Sequence, residues 1–472
     1  VVGAGATALL RAPAYPAEDI RRFGAKGDGR HDDAAAIQKA IDSETPVLRF
    51  PAGTFRIGTP LRPRSGQSWR GEGGTHTVLA YGGDPAKPPF NMVHLRGAIQ
   101  QFAIENMGFR GNRPAQTARS PDGQGGFAVY VRGDLRSVTL RGCRFEGFGD
   151  GGQGGGGVIL GPTPGEAEQG LADITVQDCV FRNNGNVPGL YVSGGVSGKA
   201  LRATVSITGN QFEGIAGSSK FQNAIYVLGE PGSRIGQVNV SHNTFEFLSP
   251  VDAAIELNWV ENFVVAGNTI QFRNAQPFSS GILLRDGTKA GTVSANVITN
   301  TAPEKELRGV ALLNFGTGGT IEDVVVASNT LSGVPHAIAA DRGSRGILIS
   351  GNRIAGSHDL GVTGIRIMDA DGVIADGNLI SAMRHALVIG AGSGDGSRTR
   401  AVHIANNVFT GCGGDRHALV ALEGAPERLS DVVVRANRTI APLPGTPAFA
   451  DAALSSVAVV ADNAIADLPA GG

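Results

Sequence analysis

The chain has 472 residues, 71 of them glycine, and a formal net charge of −1; its glycine share is about twice the usual one. A nucleic-acid-binding protein would show a basic bias, three cysteines are too few for a disulfide scaffold, and no apolar run reaches membrane-spanning length. Length alone suggests two or three domains, a count that elongated repeat folds escape.

The first residues, "VVGAGATALLRAPA", are small and apolar. They read as the end of a secretory leader followed by a small-residue cleavage zone. Residues 1–17 are therefore expected to be a leader remnant or flexible arm, and the protein to be secreted or periplasmic. Residues 18–60 carry "FGAKGDGRHDDAAAIQKAID". Here the apolar spacing of Ala36, Ile37, Ala40 and Ile41 predicts a helix near 32–42. Asp32 or Asp33 is expected to cap it by accepting from free backbone N–H groups. Such a helix can cover the open end of a strand stack. Calcium is a candidate ligand for Asp28, Asp32 and Asp33; no other cofactor is expected.

From residue 61 to 468 one pattern returns. A β-like run ends in Asn, any residue, then Phe or an aliphatic, as in "VSITGNQF", "VNVSHNTF", "FVVAGNTI", "ILISGNRI" and "VHIANNVF". The column holds Asn210, Asn243, Asn268, Asn296, Asn329, Asn352, Asn378, Asn407, Asn437 and Asn463, and earlier Met107, Cys143 and Cys179. Copies lie 23 to 36 residues apart, a solenoid period. A second short alternating strand follows in each copy, such as "AIYVLG", "AIELN" and "GILLRD". The reading is an all-β fold, a single-stranded right-handed parallel β-helix with an N-terminal capping helix. Coils stack about 4.8 Å apart, and the asparagines bond as an amide ladder. The column is thus structural. Cys143 and Cys179 are expected to be stacked, buried and reduced, and Cys412 to be a loop thiol.

The opening string, with "VLRFPAGTFRIGTPLRPRSGQSWRGEG" after it, resembles the start of the pectate-lyase-like right-handed β-helix superfamily. Phage tailspikes, polygalacturonases, exo-1,3-glucanases and mannuronan epimerases share that start. "FGAKGDG" and "IENMGFRGNR" are similar to the epimerases in particular, but their "YG-x-D-P-H" motif is absent, as are the polygalacturonase "NTD" and "GHG" motifs. The resemblance implies the fold and a carbohydrate partner, and leaves the reaction open. Some relatives are trimers, so monomer and homotrimer both stand; neither a nucleic acid nor a membrane span is expected.

Aligning coils on the second strand places Tyr191, Tyr226, Glu256, Leu283 and Arg366 outward on one face. Asn223, Asp252, Arg308 and His336 precede that strand, while Asn258, Arg285, Asp286, Asp341, Arg342 and Asp369 follow it. Glycoside cleavage needs two carboxylates flanking the bond; the candidates are Glu256 with Asp286 or Asp252. A lyase instead needs a base and a cation that neutralises a uronate, roles open to His336 and to the arginines. Tyr191, Tyr226, Asn223, Lys220, Asn258, Arg285, Arg308, Arg366 and Asp341 are the candidate substrate contacts. The preferred expectation is a glycoside hydrolase or transglycosidase, then a polysaccharide lyase, then a non-catalytic glycan-binding or structural surface protein.

Overall fold

The computed structural model describes residues 17–466, except 120–124, 150–154, 164–165, 167–168, 186–188, 195–202, 215–220, 317, 358–360, 395, 415–416, 447–448 and 451. Residues 1–16 and Lys220, on which expectations rested, lie outside the described residues. Among the described residues, no helix is long and apolar enough to cross a membrane.

The chain winds into a right-handed parallel β-helix, the hand that crossovers between twisted parallel strands take. Among the described residues its strands gather into one sheet of 27 and one of 16 strands. A typical coil runs Ile235–Ser241, Thr244–Phe247 and Val251–Asn258 before the next begins at Val260. The middle strand of the three belongs to the smaller sheet.

The sharp corner between the first two strands has a local cause. The residue before each ladder asparagine, from Gly209 to Asp462, has φ between 53° and 68°. This left-handed conformation costs an L-residue about 1–2 kcal/mol, which is why four of the ten are glycine. The asparagine that follows offsets the strain. Asn243 Oδ1 accepts from the backbone N–H and the Nδ2 of Asn210, both at 2.9 Å. Asn243 donates in the same way to Asn268 Oδ1, and its Nδ2 also reaches the Ile207 carbonyl. The pattern repeats coil by coil to Asn463. The ladder is structural, as its spacing predicts.

Inside the corner, rings stack in register: Phe109, Phe145, Phe181, Phe212 and Phe245, with centroids 4.7 to 5.1 Å apart. Each such pair adds about 0.5–1.5 kcal/mol beyond the area it buries. On the larger sheet the inner row is Ile225, Ile255, Ile282, Val310, Ile338, Ile365 and Leu387, without a register slip. Cys143 and Cys179 are buried free thiols in the ladder column, and the Cys143 N–H points at Cys179 Sγ. Cys412 lies in the loop after Thr410, as expected, and is fully buried, with its thiol directed at the Ile380 carbonyl.

The helix spans Ala34–Asp42 and buries Ala34, Ile37, Ala40 and Ile41. Gln67 Nε2 caps its far end at the Ile41 carbonyl, 2.8 Å away. At its start the two aspartates divide the work. Asp32 accepts from the N–H groups of Ala34 and Gly58. Asp33, at the N-cap position, makes no cap bond; its carboxylate accepts from Lys26 and Gly27 in the preceding loop. Gly27 is required there, since a Cβ would stand 2.8 Å from the Phe55 ring.

Candidate functional site

Successive coils carry the outward row Tyr226, Glu256, Leu283, Ala311, Ala339, Arg366 and Val388 on the larger sheet. A parallel row beside it runs Asn258, Arg285, Leu313, Asp341 and Met368. Two consecutive alanines in the first row leave a trough between larger neighbours. The result is a cleft of about 630 Å³, within the size range of small-molecule sites. Ala253, Leu283, Ala311 and Leu313 pack together as an apolar patch apart from the main core, and Leu283 and Leu313 face the cleft.

Charged groups close both ends. At one, Arg285 Nη1 donates to Glu256 Oε1 at 2.9 Å, and Asn223 Nδ2 donates to Glu256 Oε2 at 2.9 Å. Burial pushes the Glu256 carboxyl above the usual carboxylate range, against the pull of Arg285 and Asn223. Asp252 lines the same end, with Gln276 as its partner. At the other end, Arg366 Nη1 meets Asp341 Oδ2 at 2.5 Å, while its Nε and Nη2 grip Glu423 at 3.2 and 2.9 Å. Asp341 is only 3 % exposed, and its Oδ1 has no partner among the described residues. Burial pushes its carboxyl up to about 6, further than Arg366 and Arg308 pull it down.

Two phenylalanines form the rims. Phe278 is 59 % exposed and Phe315 49 %. Arg308 lies over the Phe278 ring at 5.1 Å and Arg285 over that of Phe315 at 4.4 Å, which are cation–π contacts. Exposed aromatic faces beside hydrogen-bonding groups suit sugar rings, which have apolar faces and polar edges.

Of the residues singled out from sequence, the structure brings Asp252, Glu256, Arg285, Arg308, Asp341 and Arg366 together around this cleft. Others stand elsewhere. Asn223 backs Glu256. Asp286 is completely buried beneath the cleft and does not line it. Its Oδ1 accepts from the Phe315 N–H at 2.7 Å, and its Oδ2 lies 3.6 Å from Arg285 Nη2, within ion-pair reach but beyond a hydrogen bond. Asp286 thus braces the Phe315 rim. Tyr191 and Tyr226, two coils and one coil before Glu256, stack on each other at 5.2 Å outside the lining, and Tyr226 lies beside Asn258. His336 also stands outside; it faces Glu306 at 3.8 Å, and burial lowers its pKa.

Sequence reasoning missed Phe278, Phe315 and Glu423. The two phenylalanines sit in "QPFSSG" and "LNFGTGG", loop strings where an aromatic ring has no strand alternation to bury it. Glu423 falls in the same row as Asp341, reached through Met368 and Gly390. No group of three or more His, Cys, Asp or Glu side chains among the described residues is placed to hold a metal ion. Asp28 is engaged by the N–H groups of Arg30 and His31.

Residues 18–87 match the family described as rhamnogalacturonase A/epimerase, pectate lyase-like. Residues 127–331 match the right-handed β-helix region. Among solved structures, the chain is similar to PfbA, a surface adhesin of Streptococcus pneumoniae (14% identity, 85% of this chain and 92% of that one, TM-score 0.52). It is similar to the N-terminal fragment of bacteriophage Phi29 gene product 12 (14% identity, 92% and 72%, TM-score 0.53). The A-module of the Azotobacter vinelandii mannuronan C-5 epimerase AlgE6 matches at 15% identity over 96% and 100%, with a TM-score of 0.44. No curated protein sequence matches the chain. At such identities the likeness is one of fold.

Proposed function

We propose, from the premise that the chain is a member of the pectate-lyase-like right-handed β-helix superfamily, that its cleft binds an oligosaccharide and cleaves a glycosidic bond within it. Asp341 carries the reading: a cleft-lining carboxyl with a pKa near 6 keeps a proton to give to a leaving oxygen close to neutral pH. Glu423 is its partner. One guanidinium, that of Arg366, spans the two carboxylates. That gap is of the order of the roughly 5–9.5 Å over which carboxylate pairs cleave glycosides. Glu256 lies three strands from Asp341 on the side away from Glu423; its oxygens are held by Arg285 and Asn223, and among the described residues no shared guanidinium draws it toward Asp341. Its role is to orient a sugar hydroxyl at the far end, with the ring held between Phe278 and Phe315. An exported location fits a polysaccharide substrate.

A second carboxylate pair, Glu256 with Asp252, is favoured by one observation: the charge of Asp252 helps to raise the Glu256 pKa. A polysaccharide panel, read for reducing ends and for unsaturated products, tests the function. New reducing ends that vanish in Asp341→Asn support cleavage by Asp341, and their loss only in Glu256→Gln moves the chemistry to the other end. Unsaturated products overturn hydrolysis in favour of elimination, and binding without product overturns catalysis.

A further inference from the structure

A second cleft of about 600 Å³ lies on the smaller sheet, at the N-terminal coils. Its strands are Gly108–Arg110 and Arg144–Glu146, paired so that Gly108 faces Arg144 and Arg110 faces Glu146. Arg113, from the short turn Arg113–Ala115, leans in from the side. Much of this wall is the string "IENMGFRGNR", which the cleft on the larger sheet leaves unused.

The charge here is one-sided. Three arginines, Arg110, Arg113 and Arg144, line the cleft with one carboxylate, Glu146, a local balance of three minus one, or +2. The whole chain carries −1. Glu146 is already taken by Arg144, whose Nε donates to it at 3.0 Å. Arg110 and Arg113 form no ion pair among the described residues, and Arg113 Nε is buried without a hydrogen-bond partner. A buried guanidinium N–H without an acceptor loses hydration that nothing on the protein returns. The fold nevertheless makes room for it: a Cβ on Gly185 would stand 2.5 Å from Arg113 Nε. Glycines also form the floor, at Gly74, Gly108, Gly111 and Gly147, and Thr75 and Asn183 add neutral polar groups.

We propose that this cleft is a second binding site, taking a small ligand that carries an oxyanion group: sulfate, phosphate or carboxylate. Arginine forks match such groups through paired N–H donors, and the free donors of Arg113 and Arg110 supply the pairing. The site is separate from the glycan cleft and does not depend on the reading given to it.

The test is equilibrium titration of the whole chain, by calorimetry, with glucose 6-sulfate, glucose 6-phosphate, glucuronate and neutral glucose. Saturable binding of at least one anion but not of glucose is expected, weakening as salt rises. The tightest of the three identifies the group. Arg113→Gln should weaken that binding about tenfold or more, the share of a charge-assisted pair, while Arg308→Gln in the other cleft leaves it unchanged. Arg110→Gln, at an exposed position, gives the same readout should Arg113→Gln lower the melting temperature. No saturable anion binding overturns the proposal. So does binding that survives both substitutions, or binding that is lost with Arg308.

Discussion

Arg285 donates to Glu256 at 2.9 Å, although 29 residues of chain separate them. The contact exists because one coil returns the backbone to the same place one strand spacing along the stack. Breaking such a pair from one side is costly, since the remaining charge stays buried. Arg285→Ala is therefore expected to destabilise the chain by about 3 kcal/mol or more and to push the Glu256 pKa higher still. Thermal melts of Arg285→Ala and Arg285→Lys measure it; equal melting temperatures for Arg285→Ala and the wild type would sink the claim.

Asp341 predicts a pH dependence. Its carboxyl titrates at about 6 in the folded chain, against about 3.9 for a free aspartate. The folded state thus holds the proton more tightly. The stability this gives is full below about pH 4 and is lost as pH rises through the folded value. The wild-type melting temperature should fall between pH 4 and pH 7 more steeply than that of Asp341→Asn. Parallel profiles for the two proteins would falsify the shift.

Asp341→Asn should also lower turnover on a cleaved glycan by about 10²–10⁴-fold, the usual share of a general acid. Glu256→Gln should act chiefly on KM, because its amide oxygen still accepts from Arg285 while its charge is gone. Steady-state kinetics on both variants separate the two effects.

Phe278→Ala and Phe315→Ala remove exposed rings and should leave the melting temperature nearly unchanged. Each should weaken oligosaccharide binding about three- to tenfold, in line with the worth of one aromatic face. A loss of stability without a loss of affinity would assign the rings to folding instead.

The ladder predicts a gradient of damage. Asn268→Ala deprives the Asn243 N–H and amide of their shared acceptor deep in the stack. It should cost about 3 kcal/mol or more, the sum of two unmade buried bonds. Asn463→Ala, at the half-buried last rung, should cost about 1 kcal/mol. Thermal unfolding of both variants gives the comparison.

What could be read from the sequence follows from which features repeat. The ladder asparagines recur because every coil needs the same corner, and strict alternation placed Glu256, Arg366 and Tyr226 on an outward row. Asp286 defeated that reading because it sits one residue past its strand, where alternation stops and the chain turns inward. Phe278 and Phe315 are loop residues whose position depends on how the loop folds back, which no period encodes. The choice between Asp32 and Asp33 stayed open in the sequence because a helix-capping aspartate and a loop-knitting one share the same local sequence; Asp32 takes the capping bond. Cys412 is the loop thiol that its neighbouring glycines suggest, and its burial is not visible in that string.

The unslipped register of the inner row has one more consequence. Glu256 and Glu423 mark the two ends of the cleft, and the span between them is counted in coils. Such a site works as a ruler graduated in steps of about 4.8 Å. Its length cannot drift by small amounts. Excising or duplicating one whole coil would reset it by a single graduation, with every rung on either side able to rejoin.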